Sequence, residues 1–155
     1  MSRTRASAKQ AGSTFERQIA DYLAAQYDDR IDRRVKTGSK DKGDLANIRT
    51  LRGGRVVAEC KNYGGQFQVG PWLREAEIER ANDDAVAGVV IAKKRGTTKP
   101  GEQVVFMTMD TFVTLLKGGL DEQRVYEVAP EVRAASLDAV AHISQAAGLY
   151  DGDKF

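Results

Sequence analysis

The sequence predicts an α/β domain: a central mixed β-sheet flanked by helices, with one extra helix near the C-terminus. Three observations lead there. "STFERQIADYLAAQY" repeats apolar residues at helical spacing. "AGVVIAKKR" is a continuous apolar run of buried-strand length. Around them, Gly-rich turns separate short strands from further helical stretches.

The elements follow in order. Residues 1–12, "MSRTRASAKQAG", are small, basic and polar, and read as a flexible tail. A helix follows, with Phe15, Ile19, Tyr22 and Leu23 on one stripe, Ser13 as its cap and Glu16 as a capping-box partner. Residues 31–36 are extended and 37–43 form a loop. Residues 44–50 and 55–62 are strands joined by the turn "LRGG". Pro71 opens a helix that runs to about Asp84. "AGVVIAKKR" and "QVVFMTM" are strands, and Asp110 caps the helix "TFVTLLK", which Gly118 ends. A last helix spans 130–147. The organisation is therefore a tail at 1–12, a domain at 13–118 and an extension at 119–155.

The bulk numbers narrow the class. A chain of 155 residues with 30% charged and 41% hydrophobic residues suits one soluble domain. No apolar run approaches the roughly 20 residues a bilayer span needs, and the N-terminus lacks the apolar stretch of a signal peptide. The single cysteine, Cys60, excludes an internal disulfide and suits a reducing cytoplasm. Net charge is only +2, but residues 1–100 hold 20 Lys/Arg against 13 Asp/Glu, and residues 101–155 hold 4 against 9. A basic front and an acidic back fit either a polyanion partner or ordinary surface charge.

The chemistry concentrates in "VVAECKN", Val56 to Asn62. Strand alternation puts Arg55, Val57, Glu59 and Lys61 on one face and Val56, Ala58, Cys60 and Asn62 on the other. Glu59 and Lys61 are thus neighbours, with Cβ atoms about 6–7 Å apart. Folding back through "LRGG" sets Asp44 opposite residue 60, beside Glu59. Two carboxylates there, with the backbone carbonyl of Cys60, make a hard oxygen site that suits Mg²⁺. That composition fits phosphodiester hydrolysis, with Lys61 orienting water or neutralising charge in the transition state. One histidine, His142, argues against His-based catalysis or zinc, and no Walker loop or nucleophile elbow is present.

These residues resemble a known family. "GD" followed by "ECK" is similar to the D-x(n)-E-x-K motif of the PD-(D/E)XK nuclease superfamily. "TFERQIADYL" resembles the first helix of archaeal-type Holliday junction resolvases, whose glutamate completes the metal site; that maps to Glu16. "RRVKTGSKDKGDLANI" resembles their R-x-x-x-G-S-x-x-x-x-D-L segment, with Arg34, Gly38, Ser39 and Asp44. The helix and the basic-ended strand "VVIAKKR" resemble those of the same enzymes and of related phage resolvases. The likeness covers roughly residues 13–112. It departs at Gly43, where the motif has proline, and the tail from Gly119 has no counterpart.

The resemblance implies a restriction-endonuclease-like core and a Mg²⁺-dependent endonuclease, with Mn²⁺ able to substitute. It implies a homodimer that cuts four-way DNA junctions in recombination, in the cytoplasm, or in a host cytoplasm for a phage protein. Its catalytic residues are Glu16, Asp44, Glu59 and Lys61; its metal ligands are Asp44, Glu59, Glu16 and the Cys60 carbonyl. Arg33, Arg34, Lys36, Ser39, Lys40, Lys42, Lys93, Lys94 and Arg95 would lie along the DNA backbone.

Each residue also has an ordinary role. Asp44 after glycine fits a turn, Glu59 and Lys61 fit a solvated strand face, and Glu16 fits a helix cap. Basic runs are often simply solvated, and Ser39 could equally hold its loop. Trp72 is expected in packing, Cys60 buried and inert, and His142 at a surface or interface. A related restriction, repair or end-processing nuclease, and a non-catalytic DNA-binding protein on the same core, are the rival functions.

Overall fold

The structure, a computed structural model, describes residues 4–35 and 40–119, all within the first of the two units into which the chain divides, Met1–Leu120. The expected helix at 130–147, and with it His142, lies outside the described residues, as do Lys36 and Ser39.

The fold is α/β. A three-stranded mixed sheet is built from β3 (Val56–Lys61), β4 (Ala87–Ala92) and β5 (Val104–Phe106), in that order. β3 and β4 run parallel in the register Val56↔Ala87 to Lys61↔Ala92, and β4 and β5 run antiparallel. A parallel pair needs a crossover, and α2 (Val69–Asn82) supplies it. A small antiparallel sheet pairs β1 (Asp32–Arg33) with β2 (Leu45–Ala46). Helix α1 (Arg5–Gln26) opens the fold, and α3 (Met109–Leu116) follows β5. Among the described residues, no helix is long and apolar enough to cross a membrane.

The strand pattern sorts the core into two clusters. Val56, Ala58, Ala87, Val89 and Ile91 meet Phe15, Ile19 and Ala20 of α1. Val90 and Ala92 meet Trp72 and Ala76 of α2. Helix α2 comes close because both partners are small. A Cβ added at Gly88 would lie 2.7 Å from the Ala76 carbonyl oxygen of α2. Trp72 is buried, as expected, and packs against the rings of Tyr63 and Phe67.

Several boundaries differ from the sequence expectation. Residues 5–12 are helical rather than a flexible tail. Thr4 is the N-cap, its Oγ1 accepting from the Ser7 N–H at 3.2 Å, and the Ser13–Glu16 capping box does not form. The alanines, lysine and glutamine of "RASAKQAG" carry the helix that far. Helix α2 starts at Val69, with Pro71 inside the first turn, where its missing N–H costs little. Thr108, not Asp110, caps α3; its Oγ1 accepts from the Thr111 N–H, and Asp110 sits in the first turn, where a negative charge suits the helix dipole.

The strand expected at 44–50 shortens to Leu45–Ala46. Asn47 takes a left-handed φ of 66° and donates from its side chain to the Arg30 carbonyl, which ends the extended run. Near the turn the expected register holds, with Arg49 opposite Arg55. Beyond Asn47 it slips, and the Asp44 N–H donates to the Ala58 carbonyl at 3.0 Å.

Candidate active site

The site grows from the two faces of β3. Val56, Ala58 and Cys60 pack towards α1, which leaves Glu59 and Lys61 on the other face, where Lys61 reaches Glu75 of α2. Both are buried. Lys61 Nζ donates to Glu59 Oε1 at 2.8 Å, so the pair is a close neighbour contact rather than a solvated face.

Asp44 reaches the same strand by another route. Gly43 has a φ of 84°, and a Cβ there would stand 2.8 Å from Val57 Cγ1 and 3.0 Å from the Ala58 oxygen. Glycine lets the chain lie that close to β3. It presses Asp44 to 4% exposure, where its Oδ2 accepts from the Cys60 N–H at 2.9 Å. The backbone register thus differs from expectation, but the Asp44 side chain still arrives at residue 60.

Helix α2 adds two carboxylates that sequence reasoning missed. Glu75 Oε2 accepts from Lys61 Nζ at 2.6 Å. Glu79 is 4% exposed, and its Oε2 has no hydrogen-bond partner. Glu59, Glu75 and Glu79 each place a carboxylate oxygen within 4.8 Å of the others. A signal was available in the sequence. Trp72, Ala76 and Glu79 follow the spacing of one buried helix stripe, so Glu79 occupies a position where an apolar residue belongs.

Burial and crowding perturb these groups. Burial, then the charges of Asp44 and Glu79, pushes Glu59 up to about 8, although the Lys61 hydrogen bond opposes the shift. Burial, then Glu75, Asp41 and Asp44, pushes Glu79 up to about 7. Burial by itself would depress Lys61, but its hydrogen bonds to Glu59 and Glu75 win and hold it above the usual lysine range. Lys61 is therefore a fixed cation beside carboxylates that resist ionising together. Cys60 packs against the α1 cluster, and burial raises its thiol well above the ordinary value, so it is a poor nucleophile.

The remaining candidates divide. Glu16 is held by Arg33, with Arg33 Nη2 donating to its Oε2 at 2.5 Å, and it is not one of the three clustered carboxylates. Arg34 and Lys42 both pair with the buried Asp83, Arg34 through two hydrogen bonds of 3.1 and 3.3 Å. Lys40 is exposed. Lys93, Lys94 and Arg95 follow β4 at the C-terminal end of the parallel strands, and line an open pocket with Asn62, Gly64, Gly96, Thr97 and Thr98. The Lys93 N–H donates to the Lys61 carbonyl at 2.8 Å, which ties this basic loop to the end of β3.

Donors of this kind, all carboxylate oxygens around one ammonium, fit a hard divalent cation, and the buried, unpartnered Glu79 oxygen fits it as well. Comparison with protein-family models, with curated proteins and with solved structures finds no match.

Proposed function

We propose that this chain is a Mg²⁺-dependent DNA endonuclease with a restriction-endonuclease-like core of the PD-(D/E)XK type, and that it acts as a Holliday junction resolvase. One observation carries the reading: buried Glu59 and Lys61 stand side by side on β3, and Asp44 is tied to the amide of the residue between them. Asp44, Glu59 and the Cys60 carbonyl are the residues that would hold the cation. When bound, Mg²⁺ polarises the scissile phosphate and makes its water more acidic.

The chain's own side chains do the rest. Lys61 spends two of its three N–H donors on Glu59 and Glu75 and keeps one for a phosphate oxygen or the attacking water. Its charge is fixed at any physiological pH, so it can neutralise the developing phosphorane charge without a proton transfer. Lys93, Lys94 and Arg95 bind the phosphate backbone beside the strand end. Because Arg33, Arg34 and Lys42 are already paired within the fold, they shape the approach to the site more than they hold DNA. A C2 dimer supplies two such sites for two symmetric cuts.

The test is Mg²⁺-dependent cleavage of a synthetic four-way junction, with cut positions mapped, against linear duplex, flaps and single strands. Equal cutting of every substrate overturns the junction assignment. Asp44→Asn and Lys61→Ala are expected to bind junctions and to cut them far more slowly. Undiminished cutting by either refutes the site.

A further inference from the structure

The catalytic reading uses Asp44, Glu59 and Lys61 and leaves α2 unexplained. We propose that Glu59, Glu75 and Glu79 form a second divalent-cation site, with α2 supplying two of its three carboxylates. It shares Glu59 with the proposed catalytic centre but does not require that the chain cut DNA.

Geometry is the first support. Glu75 and Glu79 are one helical turn apart on α2 and face β3, and their oxygens lie within 4.8 Å of a Glu59 oxygen. The second support is independent of the clustering. Glu79 is buried, and its Oε2 accepts no hydrogen bond. A buried carboxylate oxygen without a donor is costly, and a bound cation is the partner that removes the cost. Charge is the third. Three carboxylates meet one ammonium, Lys61; when all are ionised they carry two negative charges that Lys61 does not balance, and a divalent ion would balance them. The donors are oxygen throughout, so the ion belongs to the Mg²⁺, Mn²⁺ and Ca²⁺ class.

The same geometry gives the ion a consequence. Glu75 holds Lys61 at 2.6 Å, and a cation on Glu75 competes with that contact. Glu59 is a ligand too, so occupancy would loosen Lys61 from both carboxylates and free its ammonium for the duty the catalytic reading assigns it.

The experiment needs no DNA. The full chain is titrated with Mn²⁺ and followed by electron paramagnetic resonance, and with Tb³⁺ followed by emission excited through Trp72. Trp72 is the single tryptophan and lies three residues before Glu75 on α2. Saturable binding is expected, with Glu75→Gln and Glu79→Gln each weakening Mn²⁺ at least about tenfold and dimming the Trp72-excited Tb³⁺ emission. Asp44→Asn is expected to keep that emission. Glu75 is half exposed, so Glu75→Gln leaves the core intact and guards against a folding defect in the Glu79 variant. Unchanged binding in both glutamine variants, absence of saturable binding, or loss of emission in Asp44→Asn alone overturns the proposal. Binding as expected by a chain that cuts no DNA sinks the nuclease reading and spares this one. Cutting that depends on Asp44 and Lys61, with Mn²⁺ binding indifferent to Glu75 and Glu79, does the reverse.

Discussion

The two faces of the β3–β4 pair make an instructive contrast. Towards α1 the sheet offers Val56, Ala58, Val89 and Ile91 to Phe15 and Ile19, with no ionised group in the cluster. Towards α2 it is apolar along β4, where Val90 and Ala92 meet Trp72 and Ala76; along β3 the apolar Val57 gives way to Glu59 and Lys61 against Glu75 and Glu79. One strand therefore builds a core on one side and gathers charge on the other. The α1 face gains free energy from burial, while the α2 face spends some of it desolvating charges. A site that violates core rules beside a face that obeys them is where function is expected.

The largest effects should come from breaking the apolar face. Ile19→Ala is expected to destabilise the protein by about 2–5 kcal/mol, read from urea unfolding, because Ile19 is buried between α1 and the sheet. The folded fraction should cut junctions at the wild-type rate. A loss of rate without a loss of stability would mean that the two faces are not separable.

Next comes the charged face. Lys61→Ala is expected to lower the junction-cutting rate about 10²–10³-fold, or about 2.7–4 kcal/mol of barrier, the size seen when one preorganised donor is removed. Single-turnover cutting with saturating enzyme reads it. A change confined to junction affinity would place Lys61 in binding rather than in chemistry.

How far the sequence foretold this contrast depends on the residue. The strand-forming "VVAECK" and the continuous apolar run "AGVVIA" foretold β3 and β4 because a strand covered on both faces buries nearly every residue. Asp44's arrival at residue 60 was legible from the "LRGG" turn, but its route was not, since the left-handed Asn47 leaves no apolar pattern. The start of α1 was missed because Ser13 and Glu16 imitate a capping box, while Thr4 caps with a single hydroxyl. Glu75 and Glu79 were hidden for a different reason. "REAEIER" reads as a solvated helix face; Trp72, Ala76 and Glu79 do stand at the spacing of one stripe, and the packing of Trp72 and Ala76 against Val90 shows that this stripe is the buried one. The ion pairs of Arg33 and Arg34 were hidden because their acidic partners, Glu16 and Asp83, lie 17 and 49 residues away.

A third change tests the seam between the faces. Gly88 lies under the Ala76 carbonyl, and a methyl group there must move α2 or β4. Gly88→Ala is expected to cost about 1–3 kcal/mol in urea unfolding. It should also weaken Mn²⁺ binding, because the same displacement carries Glu75 and Glu79 away from Glu59. Weakened stability with unchanged Mn²⁺ binding would show that the cluster tolerates a shifted helix.

The subtlest effect is the pH dependence of the divalent-free protein. Glu59 and Glu79 have folded-state values of about 8 and about 7, against an ordinary value of 4.5. Between these limits the folded chain holds protons that the unfolded chain has lost. The contribution is complete below pH 4.5 and declines as pH rises, ending near pH 7 for Glu79 and near pH 8 for Glu59. Each retained proton sets a slope of about 1.4 kcal/mol per pH unit. Lys61, held above the usual lysine range, keeps its charge through this window. Chelator-treated protein should therefore lose stability steadily from about pH 5 to pH 7, and Glu79→Gln should lose it about half as steeply, since one of two protons is gone. Denaturant midpoints across that range read the difference. Equal slopes would mean that Glu79 is ionised in the folded chain, and that the α2 face carries its charges at less cost than its burial implies.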